Sequence, residues 1–426
     1  MVAVLFIVFL GCVILRMPIA FSLGFSSFVY IAASDIPLSI IPERMFSGID
    51  SFVILCVPGF VLAGNLMNVG GITERIIKFC MAIVGHIRGG LALANVGASM
   101  VFAGISGTAV SDAVSIGSVM IPAMVKRGYS ADFSGAVTAS ASTMGPIIPP
   151  SLPMVIAGTV TGLSVSRLLV GGIIPGVLLG LGIGAVAFFI SVKRGYPKGE
   201  RLPFKEVVKS FFGAFWAILM TLIILGGIMG GIFTPTEAAM VAVFYAIIIG
   251  FFVYKELKPS MLPKIFFESA VTTASLMVLV GFANVFAWIL TSEEIPVMVT
   301  TAMLDLSRNP MVYIMLVNVL LILVGMFMET IAALMILMPI LLKPAIELGI
   351  DPIQFALMCV LNLVIGLTTP PVGVCLFVAS AIARVSIGRL TWALLPFIGI
   401  SIVVLLLVSY VPAVTLWLPN MVFGGK

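Results

Sequence analysis

Charged residues are scarce in this 426-residue chain. Asp, Glu, Lys and Arg make up 9% of it, against roughly 25% in soluble globular domains. Hydrophobic residues reach 61% and the mean hydropathy is +1.28. Only lipid satisfies so much apolar surface, so the composition excludes a soluble domain and predicts a membrane protein with several spans. The net charge of +5 is not the signature of a nucleic-acid-binding surface, and no nucleic-acid partner is expected.

The side chains that build most metal and catalytic centres are also few. The one histidine, His86, lies in an amphipathic stretch and cannot form a metal site alone. The five cysteines have no paired spacing and lie in apolar stretches, which predicts small buried side chains. Neither a nucleophile–base pair nor a phosphate-binding loop is visible. The sequence therefore predicts that the protein is not an enzyme.

Apolar runs of about 20 residues, the length that crosses a bilayer, are abundant. Uninterrupted runs predict helices at 1–15, 17–34, 51–71, 165–192, 208–230, 235–254, 265–291 and 390–412. Four other apolar segments are interrupted by Gly, Pro, Ser and Thr clusters: 88–126, 131–162, 309–344 and 351–384. We expect two re-entrant hairpins, 88–126 and 309–344, and two broken helices.

The positions of the basic residues predict the orientation. With both hairpins re-entrant, 17 of the 22 Lys and Arg residues fall on one face. The other face keeps Arg44, Arg167, Arg308, Lys343 and Lys426. Because cytoplasmic loops are enriched in Lys and Arg, the 17-residue face is predicted to be cytoplasmic, with both termini periplasmic.

The two halves of the chain form a weak internal repeat. Three pairs of residues are 217 positions apart, and a fourth pair, after four extra residues, is 221 apart: Pro18 and Pro235, Asp112 and Glu329, Pro122 and Pro339, Gly145 and Gly366. In the predicted topology the hairpins open to opposite faces, so the repeats are inverted. Paired helix breaks in inverted repeats are the sequence sign of a secondary transporter's binding site.

The breaks are rich in oxygen ligands, which suit a hard cation such as Na⁺. A first sodium site is predicted from Ser106, Gly107, Ser111, Asp112, Ser142 and Gly145. A second is predicted from Gly325, Met328, Glu329, Thr330, Gly366 and Thr369, with more weight on carbonyls. Substrate contacts are predicted at Thr108, Pro149, Pro150, Ser151, Thr368 and Pro371.

Two alternatives for these residues stay open. Asp112 and Glu329 are either site carboxylates or acids that cap the returning hairpin helices, and one role does not exclude the other. Ser and Thr hydroxyls on membrane helices often bond back to their own backbone. No Lys or Arg lies within the four breaks, so a substrate carboxylate would meet helix N-termini, hydroxyls and bound sodium.

Five motifs spread along the chain resemble the large membrane subunit of the TRAP (tripartite ATP-independent periplasmic) transporters. They are LAGNLMNVGGITERI (Leu62–Ile76), FAGISGTAVSDAVSIGSVMIPAM (Phe102–Met124), STMGPIIPPSLPMVIAG (Ser142–Gly158), GGIFTPTEAAMVAV (Gly230–Val243) and GLTTPPVGVCLFVASAIA (Gly366–Ala383). The resemblance implies an all-α polytopic membrane protein of the bacterial inner membrane. Its fold would be related to the divalent anion–sodium symporters, with an elevator mechanism. The second tip has GMFMET where the first has GISGTA, so the two sodium sites cannot be identical.

The resemblance also implies a division of the chain. Residues 1–87 would be scaffold and arm helices, and 88–162 the first hairpin and broken helix of a transport domain. Residues 163–308 would be scaffold with the cytoplasmic loop 193–209 and a second arm. Residues 309–384 would complete the transport domain, and 385–426 would form a terminal helix.

The implied function is sodium-coupled import of small carboxylates, of the sialic acid or C4-dicarboxylate type. Implied partners are a small four-helix membrane subunit, expected as a separate chain, and a periplasmic substrate-binding protein. The alternatives are a stand-alone sodium–carboxylate symporter that needs no binding protein, a membrane-embedded enzyme and a passive channel. The lack of catalytic clusters disfavours the enzyme, and the paired breaks disfavour the channel.

The basic asymmetry makes the orientation testable. A reporter fused at Lys198 is expected to report the cytoplasm, and one fused after Lys426 the periplasm, because the positively charged loops stay inside. Paired alkaline phosphatase and fluorescent-protein fusions give the readout. The reverse pattern would overturn the orientation.

Overall fold

The protein is built from α-helices. The computed structural model describes residues 2–424 apart from 16, 35, 51–53, 200, 296, 299–300, 303–307 and 371–372. Within those residues the only extended pairing is one isolated bridge between Arg88 and Lys198. Seven helices are long and apolar enough to cross a membrane, and a bent pair would make an eighth. The prediction of an all-α polytopic fold is confirmed.

The helices follow the predicted order in both halves. The first half contains Val2–Ile14, Ile19–Ala33, Ile40–Ile49, Cys56–Val69, Ile72–Val84, Gly90–Ser106, Ala109–Lys126, Ala131–Ser142, Leu152–Thr161, Val165–Gly171 and Ile173–Lys193. The second contains Phe204–Met229, Pro235–Ile248, a π-turn Ile249–Val253, a short 3₁₀ turn Pro259–Met261, Leu262–Ser292, Pro310–Gly325, Thr330–Glu347, Pro352–Gly366, Val374–Ala383, Ile387–Tyr410 and Pro412–Phe423.

Some helices differ from the predictions, and the predicted span 165–192 is two consecutive helices, Val165–Gly171 and Ile173–Lys193. The predicted span 51–71 begins only at Cys56 and bends by 67° into the helix Ile72–Val84, because Gly71 adopts a left-handed conformation (φ +77°). The predicted terminal helix 385–426 is two helices, since Pro412 lacks the N–H that would continue the first. The helix Ile40–Ile49 was not predicted, because it is too short to register as a span.

The four interrupted segments all break where the small and polar residues cluster. The first hairpin comprises Gly90–Ser106 and Ala109–Lys126, and the first broken helix Ala131–Ser142 and Leu152–Thr161. The second hairpin comprises Pro310–Gly325 and Thr330–Glu347, and the second broken helix Pro352–Gly366 and Val374–Ala383. These names are used below.

Each hairpin packs against both broken helices. Its returning helix contacts the first half of the broken helix in its own repeat. It also contacts the second half of the broken helix in the other repeat: Ala109–Lys126 packs on Val374–Ala383, and Thr330–Glu347 on Leu152–Thr161. The contacts in one repeat therefore mirror those in the other, and the four segments form one interlocked unit.

Buried amide bonds hold each hairpin to its broken helix. Asn95 Nδ2 donates to Thr138 Oγ1 at 2.7 Å in the first repeat. In the second, Asn362 Nδ2 donates to Asn318 Oδ1 at 2.8 Å and to its carbonyl oxygen at 3.0 Å. All four side chains are buried. Since a buried polar atom left without its partner is costly, these bonds fix the register of the packed helices.

Replacing Asn362 with Leu is expected to destabilise the protein by about 1 kcal/mol, because two buried acceptors on Asn318 lose their donor. Thermal unfolding in detergent should show an apparent Tm lower by a few degrees. Ser275→Ala is the control, since the Ser275 hydroxyl is exposed and bonds only to the Val271 carbonyl of its own helix. An unchanged Tm for Asn362→Leu would contradict the role of this bond.

Candidate functional site

The tip of the first hairpin reverses the chain within two residues. Gly107 ends the outgoing helix in the left-handed region, with φ +64°. Thr108 then caps the returning helix, and its side chain accepts a hydrogen bond from the Ser111 amide at 3.4 Å. Residues such as Gly and Thr are favoured at these two positions for this reason. The turn brings Ser106 beside Asp112.

Asp112 is the chemically distinctive residue of this tip. It is 0% exposed, and Ser106 Oγ donates a hydrogen bond to its Oδ1. Its other carboxylate oxygen, Oδ2, is buried and has no hydrogen-bond partner among the described residues. An unpaired buried carboxylate oxygen is costly, so this atom is suited to a cation or a proton.

Gly145, in the first broken helix, lies directly against this carboxylate. A methyl group at Gly145 would lie 2.6 Å from Asp112 Oδ2 and 2.8 Å from the Thr108 carbonyl oxygen. Only glycine allows so close an approach. Four predicted residues of this region, Ser106, Thr108, Asp112 and Gly145, are therefore brought together, with a carboxylate, a carbonyl and a hydroxyl as oxygen donors.

The remaining residues of the first prediction have other surroundings. Ser142 Oγ donates to the Ala139 carbonyl at 2.8 Å, so its proton is used within its own helix. Ser111 lines a cavity of about 260 Å³, together with Ser106 and Thr108, against Asn65 and Thr272 of the neighbouring helices. The hydroxyl of Ser111 is thus placed at the boundary between the hairpin and those helices.

The predicted substrate residues of the first break pack under the tip. A methyl group at Gly107 would lie 2.7 Å from the Pro150 carbonyl, and the Leu152 amide donates to the Gly107 carbonyl at 3.4 Å. Pro149 and Pro150 are buried. Ser151 is buried and caps the helix Leu152–Thr161, accepting from the Met154 amide at 3.2 Å and donating to the Pro146 carbonyl.

The second tip repeats the backbone arrangement of the first. A methyl group at Gly366 would lie 2.7 Å from the Gly325 carbonyl oxygen. Gly325 stands 217 positions after Thr108, and Gly366 stands 221 after Gly145. In both repeats a glycine of the broken helix thus packs on the carbonyl of the matching residue at the hairpin tip.

The side chains of the second tip differ from those of the first. Glu329 caps its helix, accepting from the Ile331 amide at 2.8 Å and the Ala332 amide at 3.2 Å. The Thr330 hydroxyl is buried without a hydrogen-bond partner among the described residues. The Met328 amide donates to the Val324 carbonyl at 2.9 Å. The second tip therefore offers a carbonyl and a hydroxyl rather than an unpaired carboxylate.

The threonines of the second break bond within their own helix. The hydroxyls of Thr368 and Thr369 each donate to the Ile365 carbonyl at 2.9 Å. The hydroxyl oxygens can still accept a bond or bind a cation, but neither hydroxyl donates its proton to a group outside its own helix. Pro371 lies outside the described residues.

The tip of the first hairpin meets the break of the second broken helix through a small apolar cluster. Ala109, which starts the returning helix of the first hairpin, packs with Leu367, Val374 and Cys375 of the second break. Within the described residues no group of three or more His, Cys, Asp or Glu side chains gathers. The donors at both tips are oxygens, which fit a hard monovalent cation.

One polar region was not predicted as a site. Arg44 entered the sequence analysis only as one of the basic residues that predict the orientation. In the structure it lies in a cavity with Asn284 and Trp288. The Asn284 side chain donates a hydrogen bond to the Arg44 carbonyl, although the two residues are 240 positions apart along the chain. An isolated arginine between apolar segments was the one signal that pointed to it.

Comparison with known proteins identifies the family. Residues 6–414 match the family model described as the tripartite ATP-independent periplasmic transporter, DctM component. The chain is 40% identical over 448 residues to the C4-dicarboxylate TRAP transporter large permease protein DctM of Vibrio cholerae, covering 100% of this chain and 99% of that protein. It is 41% identical over 419 residues to the sialic acid TRAP transporter large permease protein SiaM of the same species, covering 97% of each.

A third relative is the isethionate TRAP transporter permease protein DctMQ of Oleidesulfovibrio alaskensis. It is 42% identical over 417 residues, which are 97% of this chain and 66% of that longer protein. The three relatives thus carry different named substrates at similar identity to this chain.

Two solved structures share the fold. The YdaH transporter of Alcanivorax borkumensis superposes with a TM-score of 0.64 at 16% identity, covering 99% of this chain and 100% of that one. MtrF of Neisseria gonorrhoeae, described among antimetabolite efflux pumps, gives 0.57 at 12% identity, covering 92% and 86%. These likenesses concern the fold alone. With the family model and the relatives, they confirm the resemblance seen in the motifs: the chain belongs to the DctM family, the large permease component of the TRAP transporters.

Proposed function

We propose that this permease imports small organic anions together with sodium ions, and that the two hairpin tips with their facing breaks bind the ions. The observation that carries the proposal is the unpaired Oδ2 of Asp112, buried between the first tip and Gly145. Sodium is cargo here, entering with the substrate and leaving on the cytoplasmic side.

The first site would use the Asp112 carboxylate, the Ser106 hydroxyl and the Thr108 carbonyl. These groups are already close together, since the Ser106 hydroxyl bonds to the other two. The second would rely on the Gly325 carbonyl and the Thr330 hydroxyl. The substrate anion would lie between the tips, near the N-terminus of the helix that begins after Ser151, because helix N-termini favour negative charge.

We further propose an elevator motion of the interlocked hairpins and broken helices. The mirrored contacts support this, since the four segments pack on one another as a unit. Helices outside the unit pair with each other, Cys56–Val69 with Pro235–Ile248 and Ile19–Ala33 with Leu262–Ser292, and would form the static scaffold. The predicted periplasmic termini belong to the same proposal.

The names of the relatives support the assignment of partners. By analogy with them, a small membrane subunit would complete the permease, and a periplasmic binding protein would deliver the substrate. The carried anion would be a carboxylate of the sialic acid or C4-dicarboxylate type. A sulfonate such as isethionate has similar chemistry and is the second candidate, favoured by the DctMQ relative.

Uptake into proteoliposomes tests this function. With the small subunit and a loaded binding protein, an inward sodium gradient is expected to drive uptake of sialic acid, succinate or isethionate. An inside-negative potential should speed uptake of a monovalent anion carried with two sodium ions, since the net positive charge gains about 2.3 kcal/mol per 100 mV.

Two controls define what would contradict the proposal. Full-rate uptake by this chain alone would favour a stand-alone symporter that needs no binding protein. Uptake that is unchanged when potassium replaces sodium, with no response to potential, would contradict sodium coupling.

A further inference from the structure

A cavity of about 470 Å³ lies beside the helices that begin at the second hairpin tip and at the first break. The residues that line it include Arg44, Thr159, Asn284, Trp288, Thr291 and Met335. Two of its walls, Ile40–Ile49 and Leu262–Ser292, belong to the proposed scaffold. The other two, Leu152–Thr161 and Thr330–Glu347, belong to the proposed moving unit. The cavity therefore lies where the two parts meet.

Arg44 is held in the cavity wall by its backbone and by an aromatic ring. The Asn284 side-chain amide donates to the Arg44 carbonyl at 2.7 Å. The guanidinium carbon lies 5.3 Å from the centre of the Trp288 ring. Gly48 lets the helix Ile40–Ile49 approach Leu262–Ser292 closely, since a methyl group there would lie 2.6 Å from the Asn284 amide nitrogen.

The guanidinium is not neutralised within the described part of the chain. Arg44 makes no ion pair with a described residue, and its Nε is buried without a hydrogen-bond partner there. A guanidinium has five donors in a planar fork that matches a carboxylate or sulfonate. A cation positioned in this way, beside neutral Asn and Thr side chains, selects for an anion.

Two of the helices that line the cavity begin at the candidate sites. Thr159 lies eight residues after Ser151, about 12 Å along the helix that begins at the first break. Pro339, also in the lining, lies in the helix that begins at the second tip. In the predicted orientation Arg44 belongs to the periplasmic face, the side from which substrate arrives.

We propose that this cavity is a separate binding site for the transported anion, in which Arg44 pairs with its carboxylate or sulfonate group before the anion reaches the tips. The cavity volume suits a small organic acid. Because the four breaks contain no Lys or Arg, Arg44 would supply the positive charge that the tips lack. The identity of the ligand class rests on the proposed function.

Trp288 provides a direct readout of binding. In the full chain with Trp216, Trp392 and Trp417 changed to Phe, Trp288 is the single tryptophan, and it can be excited selectively at wavelengths that tyrosine does not absorb. In phosphatidylcholine nanodiscs without sodium, potassium succinate, sialate and isethionate are titrated against potassium chloride of equal ionic strength. At least one is expected to give a saturable change in Trp288 fluorescence.

Variants separate this site from the tips and from general charge effects. Arg44→Gln should weaken the apparent affinity about tenfold, since a charge-assisted bidentate contact is lost. Arg308→Gln, which removes an exposed arginine, should leave it unchanged. Asp112→Asn should also leave it unchanged. No saturable change with any of the three anions, or equal affinity in Arg44→Gln, would overturn the proposal.

The outcome is independent of the transport assay. Sodium-driven uptake without an Arg44-dependent Trp288 response would leave the function standing and refute the separate site. An Arg44-dependent response in a protein that shows no sodium-driven uptake would support the site and refute sodium coupling.

Discussion

Non-helical backbone in a membrane-spanning protein must find its hydrogen-bond partners within the protein, and the architecture of this permease follows from that requirement. Each hairpin tip is paired with a helix break. The Leu152 amide donates to the Gly107 carbonyl in one repeat, and the Gly373 amide to the Met326 carbonyl in the other, both at 3.4 Å. Gly145 and Gly366 allow the approach that these bonds need. These bonds stabilise the breaks. The oxygen atoms of the tips and breaks that are not used in them are concentrated at the two candidate sites.

The two candidate sites, one at each hairpin tip with its facing break, are alike in backbone arrangement and unlike in side chains. Asp112 and Glu329 stand 217 positions apart, but the returning helix starts at Ala109 in the first repeat and at Thr330 in the second. Asp112 is therefore inside its helix, where its own amide is bonded to the Thr108 carbonyl and Thr108 caps the Ser111 amide, and one of its carboxylate oxygens is left without a partner among the described residues. Glu329 stands before its helix and uses its carboxylate on the free amides there. The same repeat thus gives one candidate ion site with a free carboxylate oxygen and one built on neutral oxygens.

Much of this arrangement could be predicted from the sequence, because it depends on local signals. The clusters of Gly, Pro, Ser and Thr predicted all four breaks, and the repeat offset predicted that Asp112 and Gly145 matter. Whether a hydroxyl bonds outward or back to its own helix is decided by tertiary geometry, so the roles of Ser142, Thr368 and Thr369 stayed open. The helix Ile40–Ile49 and the Arg44 cavity depend on contacts across more than 200 residues. The isolated Arg44 was the one local signal, and it does not show which distant residues complete the cavity.

The central claim is that the unpaired oxygen of Asp112 is a sodium ligand, and the sodium dependence of uptake tests it most directly. Asp112→Asn keeps the shape but removes the charge, so the sodium concentration for half-maximal uptake should rise at least about tenfold. Glu329→Gln keeps an oxygen that can cap its helix, so the same concentration should change by less than about threefold. Equal sodium dependence in wild type and Asp112→Asn would contradict the account.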